Sequence, residues 1–113
     1  MKLFDLEHAE ARQIAHFGSQ RATAAPLTVP QGDTHVVRIR LEPGGVLGRH
    51  AGQLDQLFVI VEGEGFTSGA DGDPTPVGAG TAVYWPAGEA HETRTETGLT
   101  ALVVESRRLV TRA

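Results

Sequence analysis

The chain reads as an all-β protein, a small sandwich or barrel, and three observations carry that reading. Apolar residues recur with period two rather than 3.6. Short runs rich in β-branched residues are separated at regular spacing by Gly, Pro and Asp. Only Leu6 to Ile14 hints at a helical turn. At 113 residues there is room for one domain, whose core buries about two thirds of the unfolded surface. The expected organisation is a single domain over 1–113, with a barrel core over 32–107 and an N-terminal segment, 1–31, as an edge strand or arm.

Arg21 to Val29 fits an edge strand, because Pro26 lacks the donor that a central ladder needs. Edge strands invite pairing, so a homodimer that exchanges or adds N-terminal strands is expected. Thr34 to Leu41 places Val37, Ile39 and Leu41 on one face and Arg38 and Arg40 on the other, as a half-buried strand does. Pro43-Gly44-Gly45 then reads as a turn. Leu57 to Val61 is a continuous apolar run, expected to be covered on both sides. Glu62-Gly63-Glu64-Gly65 turns the chain again, and no helix or Lys-Ser/Thr follows that would make it a phosphate loop. Phe66 to Ser68 and Thr75 to Val77 flank an exposed hairpin turn containing Asp71-Gly72. Thr81 to Trp85, Glu92 to Thr95 and Leu99 to Glu105 complete the strands.

Composition excludes several classes of function. A net charge of -4 without a basic block, Arg107-Arg108 being too short, argues against a nucleic-acid partner. With no cysteine there is neither a disulfide framework nor a thiolate site, so any metal must be held by nitrogen and oxygen. Met1 to Gln13 lacks the apolar core of a secretory signal, and no run approaches the ~20 apolar residues of a membrane span. A soluble, cytoplasmic protein with no membrane partner is the expectation. Ser19, Ser68 and Ser106 have no adjacent histidine and acid at recognisable spacing, so no nucleophile constellation competes.

Two separated segments carry a resemblance. Gly44, His50, Gly52, Gln56 and Gly63 fall at the spacing of the first cupin motif; Gly80, Pro86, Gly88, His91 and Thr95 fall at that of the second. The chain thus resembles a small single-domain, type-2-like member of the cupin superfamily from about Gly32 to Arg107. The resemblance implies a double-stranded β-helix, a jelly-roll-like small barrel, whose cavity holds a divalent metal such as Fe, Mn, Ni or Zn. The chain departs from the family at three positions: Gly52 replaces a histidine, Gln56 a glutamate and Thr95 an asparagine. The metal ligands that remain are His50, Gln56 and His91, a formally neutral face of lower affinity than the full set. Gln53 is a lesser candidate for the missing histidine.

Each candidate also has a plainer reading. His50 and His91 would equally serve as hydrogen-bonded histidines at a barrel mouth, and Gln56 as a buried amide satisfied by the backbone. Strand parity puts Gln56, Phe58 and Ile60 on one face and His91, Thr93 and Thr95 on another, as walls of one cavity. Trp85 and Tyr84 have opposite parity, so one faces inward. Phe58 and Trp85 suit the core as well as ligand stacking, and His35 shares the parity of Val37 and Ile39. His8 and His16 are expected at the surface. Glu92 should point away from the cavity, whereas Glu89 is a candidate acid at its mouth. Two functions stand: a metal-dependent protein acting on a small organic ligand, its catalytic residues unknown, or a metal-free small-ligand binding or sensing module.

Overall fold

The structure, a computed structural model, describes residues 1–29 and 31–112; Pro30 and Ala113 lie outside the described residues. Among the described residues a single 3-10 turn at Leu6–His8 precedes eight strands: β1 (Arg12–Gln13), β2 (Gln20–Pro26), β3 (Thr34–Ala51), β4 (Asp55–Ser68), β5 (Thr75–Gly78), β6 (Ala82–Trp85), β7 (Ala90–Arg94) and β8 (Leu99–Ser106). All the pairings are antiparallel, and four of them close a ring. β3 pairs β8 through Thr34 to Leu41, and β8 pairs β4 through Asp55 to Gly63. β4 pairs β7 through Phe66 to Ser68, and β7 returns to β3 through Val46 to Ala51. These four pairings therefore close a barrel. β2, β5 and β6 extend it from β3 and β4.

Closure depends on β3 and β4 each serving both halves of the barrel, and here two expected turns are corrected. Pro43-Gly44-Gly45 and Glu62-Gly63-Glu64-Gly65 do not end strands; they bend continuous ones. β3 changes partner from β8 to β7 across the first, and β4 changes from β8 to β7 across the second. Ladder register slips at both places, Gln20/Ala22 against the β3 bend and Ile60/Glu62 within β4. Gly63 has φ +78 and lies against the Gly98 carbonyl, where a β-carbon would collide with backbone. Only glycine meets both conditions.

The core is Ala22, Leu41, Phe58, Ile60, Trp85, Leu99, Ala101 and Val103, all nearly inaccessible. Period-two patterning predicts most of them. The two-sided covering expected for Leu57 to Val61 is only half realised: Phe58 and Ile60 are buried, while Val61 is exposed. Arg38 is a second correction. It lies on the outward parity yet is 4% exposed, because the N-terminal segment folds across that face. Its Nη1 donates to the Leu6 carbonyl, and its neighbour Arg40 forms a two-pronged pair with Glu7, Nη2 to Oε1 at 2.7 Å. Arg40 holds the Glu7 carboxyl below the usual carboxylate range.

Candidate functional site

Register brings the two motif histidines together: His50 on β3 pairs directly with His91 on β7, their ring centroids 4.7 Å apart and tilted 58°. Each Nδ1 meets a carbonyl two residues earlier, His50 that of Gly48 at 2.7 Å and His91 that of Glu89 at 2.9 Å. A carbonyl only accepts, so Nδ1 carries the proton and the neutral ring keeps its lone pair on Nε2. Burial pushes the His91 pKa down and the nearby His50 adds to that, while the Glu89 carbonyl works the other way. Trp85 stacks on His91 at 4.2 Å and 11°, and Phe58 tilts against Trp85 at 5.6 Å. Both aromatics are core and cavity wall at once.

Gln56 stands between Trp85 of β6 and Glu105 of β8 in the ladder. Its Nε2 donates to Glu105 Oε1 at 3.3 Å. The carboxylate can only accept, so the amide orientation follows, with Gln56 Oε1 left as an acceptor. A β-carbon on Gly52 would sit 3.2 Å from Gln56 Nε2, so the position of the replaced histidine faces this amide. The rim is tied beneath: Gly88 donates to the Gly52 carbonyl at 2.8 Å, and the Asp55 carboxylate accepts from Ala87 N at 2.8 Å and Leu109 N at 2.9 Å. Those two donors, Leu109 first, hold the Asp55 carboxyl below its ordinary range.

These side chains line one cavity of about 210 Å³. His50, Gln56, Phe58, Trp85, His91 and Thr93 belong to it, with Ile39, Leu47, Val103 and Glu105. Ile60, Thr95 and His35 are not among its lining residues. Ile60 lies in the core at 1% exposure. Thr95 closes the turn before β8, donating to the Glu64 carbonyl at 2.6 Å and accepting from Gly98 N at 2.9 Å. His35 is four residues from Ile39, about 13 Å along the strand. Gln53 is exposed. Glu89 turns its carboxylate to Ala70 N at 2.9 Å rather than into the cavity, and Glu92 faces the outer groove beside Arg49 and Arg94. Tyr84 is the outward member of its pair, its hydroxyl donating to the Leu109 carbonyl at 3.4 Å.

Leu47 and Val103 were not singled out as cavity residues in the sequence, and two further contributors were missed there. Glu105 shares the parity of Ala101 and Val103, a charge on a core-facing stripe, and that signal was legible. The other is the strap Ile14 to Ser19, which contributes Ile14, His16, Phe17 and Ser19 to the cavity. His16 is exposed as expected yet lines the cavity, while His8 is at the surface with Asp5, 3.0 Å away. Phe17 stacks on His50 at 4.6 Å and 6° from a left-handed backbone, φ 58. The strap packs so closely on β3 that its Phe17 carbonyl fills the place of a Gly48 β-carbon, and Ser19 Oγ accepts from Gly48 N at 2.9 Å.

Among the described residues no three His, Asp or Glu side chains gather so as to hold an ion. An ion in this cavity would therefore draw on both Nε2 atoms and an amide oxygen. The donor types and tautomers fit that role, since a ligating histidine commonly donates its other N–H to a carbonyl. No helix is long and apolar enough to cross a membrane among the described residues.

Comparison with known proteins agrees with this architecture. A family model described as "Cupin domain" matches residues 37–105. No curated protein matches the sequence. Among solved structures, the polyketide cyclase RemF from Streptomyces resistomycificus aligns with a TM-score of 0.84 at 20% identity, over 99% of this chain and 88% of its own. A predicted oxalate decarboxylase from Thermotoga maritima gives 0.81 at 22%, over 93% and 98%. An RmlC-like cupin from Shewanella frigidimarina gives 0.79 at 20%, over 96% and 92%. At such identities the likeness is one of fold.

Proposed function

The chain belongs to the cupin domain family, and on that premise we propose that it binds a small organic ligand beside a divalent ion held by His50 Nε2, His91 Nε2 and Gln56 Oε1. The observation that carries this reading is the matched tautomer of the two paired imidazoles, each with Nδ1 tied to a carbonyl so that Nε2 is the donor atom. The ion, when bound, would supply Lewis-acid polarisation of a ligand oxygen or an oxygen-activating centre. The remaining work falls to the chain. Stacking on Trp85 and Phe17 holds the two rings in place. The Thr67 hydroxyl donates to the Glu92 carbonyl at 3.0 Å, so the 3.0 Å contact between the two threonines uses the Thr93 proton. Thr93 thereby offers a ligand only an acceptor.

A cavity of about 210 Å³ lies below the usual range for drug-sized ligands, which favours a small one. Two of the structural neighbours, a polyketide cyclase and a predicted oxalate decarboxylase, fit chemistry on a small oxygenated molecule. The test is metal analysis of protein purified without a histidine tag and then reconstituted: about one equivalent per chain is expected, and less than about a tenth would reject the reading. His50→Ala and His91→Ala should each abolish loading.

A metal-free binding module is the second reading, favoured by the apolar lining of Ile14, Phe17, Ile39, Leu47, Phe58 and Val103. Under it, the Gly52→His, Gln56→Glu variant gains strong metal binding that the wild type lacks. The working unit is taken as a homodimer. β1 pairs with only Thr23 and Ala24 along the outer edge of β2, and Leu3 and Phe4 stand exposed nearby in sequence.

A further inference from the structure

Gln56 leaves the three-donor face without formal charge, and an ion drawn out of water into such a face lacks an anion in return. Glu105 supplies one at the next position. It lies on β8 directly across from Gln56, lines the same cavity and accepts the Gln56 Nε2 proton at 3.3 Å. We propose that Glu105 is the carboxylate of this site, displaced by one hydrogen bond: a positioning residue that turns Gln56 Oε1 toward the imidazole pair and neutralises the ion through the amide. This rests on the ion-binding reading above and deepens it.

The physical argument has two parts. A glutamine amide is symmetric in shape, so without a partner that only accepts, either end would face the cavity. Glu105 breaks that symmetry. Its negative charge also polarises the amide, which strengthens Oε1 as a donor, as hydrogen-bonded carboxylates do for metal ligands generally. β8 is well suited to hold it, since Ala101 and Val103 on the same face are buried in the core.

Charge and geometry separate in two variants. Glu105→Gln keeps an acceptor for Gln56 but removes the charge, and Gln56→Glu combined with Glu105→Gln exchanges the carboxylate and the amide. The probe is Co2+, titrated against a competing chelator and followed by its visible absorption, with thermal melting to confirm that each variant is folded. Glu105→Gln should weaken Co2+ binding about 10- to 100-fold, and the exchange should recover wild-type affinity or better. Equal affinity in wild type and Glu105→Gln, or an exchange variant as weak as Glu105→Gln, overturns the role of Glu105 alone. A wild type that takes up no Co2+ overturns the ion-binding reading and this one with it.

Discussion

His91 sits where a protonated ring is disfavoured, buried against Trp85 with a second imidazole beside it. Its folded pKa is lowered, so the unfolded chain binds the proton more readily. The stability this contributes is complete above the ordinary histidine value of about 6.5 and is lost as pH falls below it. Ion-free protein should therefore melt at progressively lower temperature from neutral toward acidic pH, and His91→Asn should flatten that slope; parallel slopes for the two proteins would contradict it. The two histidines were legible in the sequence because motif spacing fixed them and the ladder then had to pair them. Glu105 was legible only as strand parity, since the family motifs do not include it. Arg38 was misread because parity says which side a residue faces and not what later folds over that side.

Strands β3 and β4 show why the barrel closes and why element ends were harder to read than elements. Pro43-Gly44-Gly45 and Glu62-Gly63-Glu64-Gly65 have turn composition, yet a bent strand that changes partners needs the same residues as a turn. Only tertiary pairing tells the two apart. Gly63→Ala puts a side chain both into a left-handed backbone and against the Gly98 carbonyl, and should cost more than about 2 kcal/mol in denaturant unfolding. A loss under about 0.5 kcal/mol would show that the bend tolerates a β-carbon. The strap from Ile14 to Ser19 carried no readable signal, because its structure comes from packing against Gly48 and His50, far along the chain. Trp85 is the only tryptophan, so its fluorescence reports on the cavity directly. Phe17→Ala should make it more accessible to acrylamide quenching, and unchanged quenching would mean the strap does not roof the cavity.

Over the whole molecule, β8 lies between β3 and β4 and carries the most buried stripe, Leu99, Ala101 and Val103. Core and cavity share their walls at Phe58, Trp85 and Val103, so stability and site geometry are coupled through the same side chains. The all-β class was readable from period-two patterning, and the closed ring from the motif resemblance rather than from any single strand. Light scattering at micromolar concentration tests the proposed dimer, for which a mass of two chains is expected and a mass of one counts against it. The most direct measurement is anomalous diffraction from crystals grown with Zn2+. The proposed site calls for a peak about 2.0–2.2 Å from both His50 Nε2 and His91 Nε2 with Gln56 Oε1 adjacent. Well-diffracting crystals with no anomalous peak between the two imidazoles would contradict it.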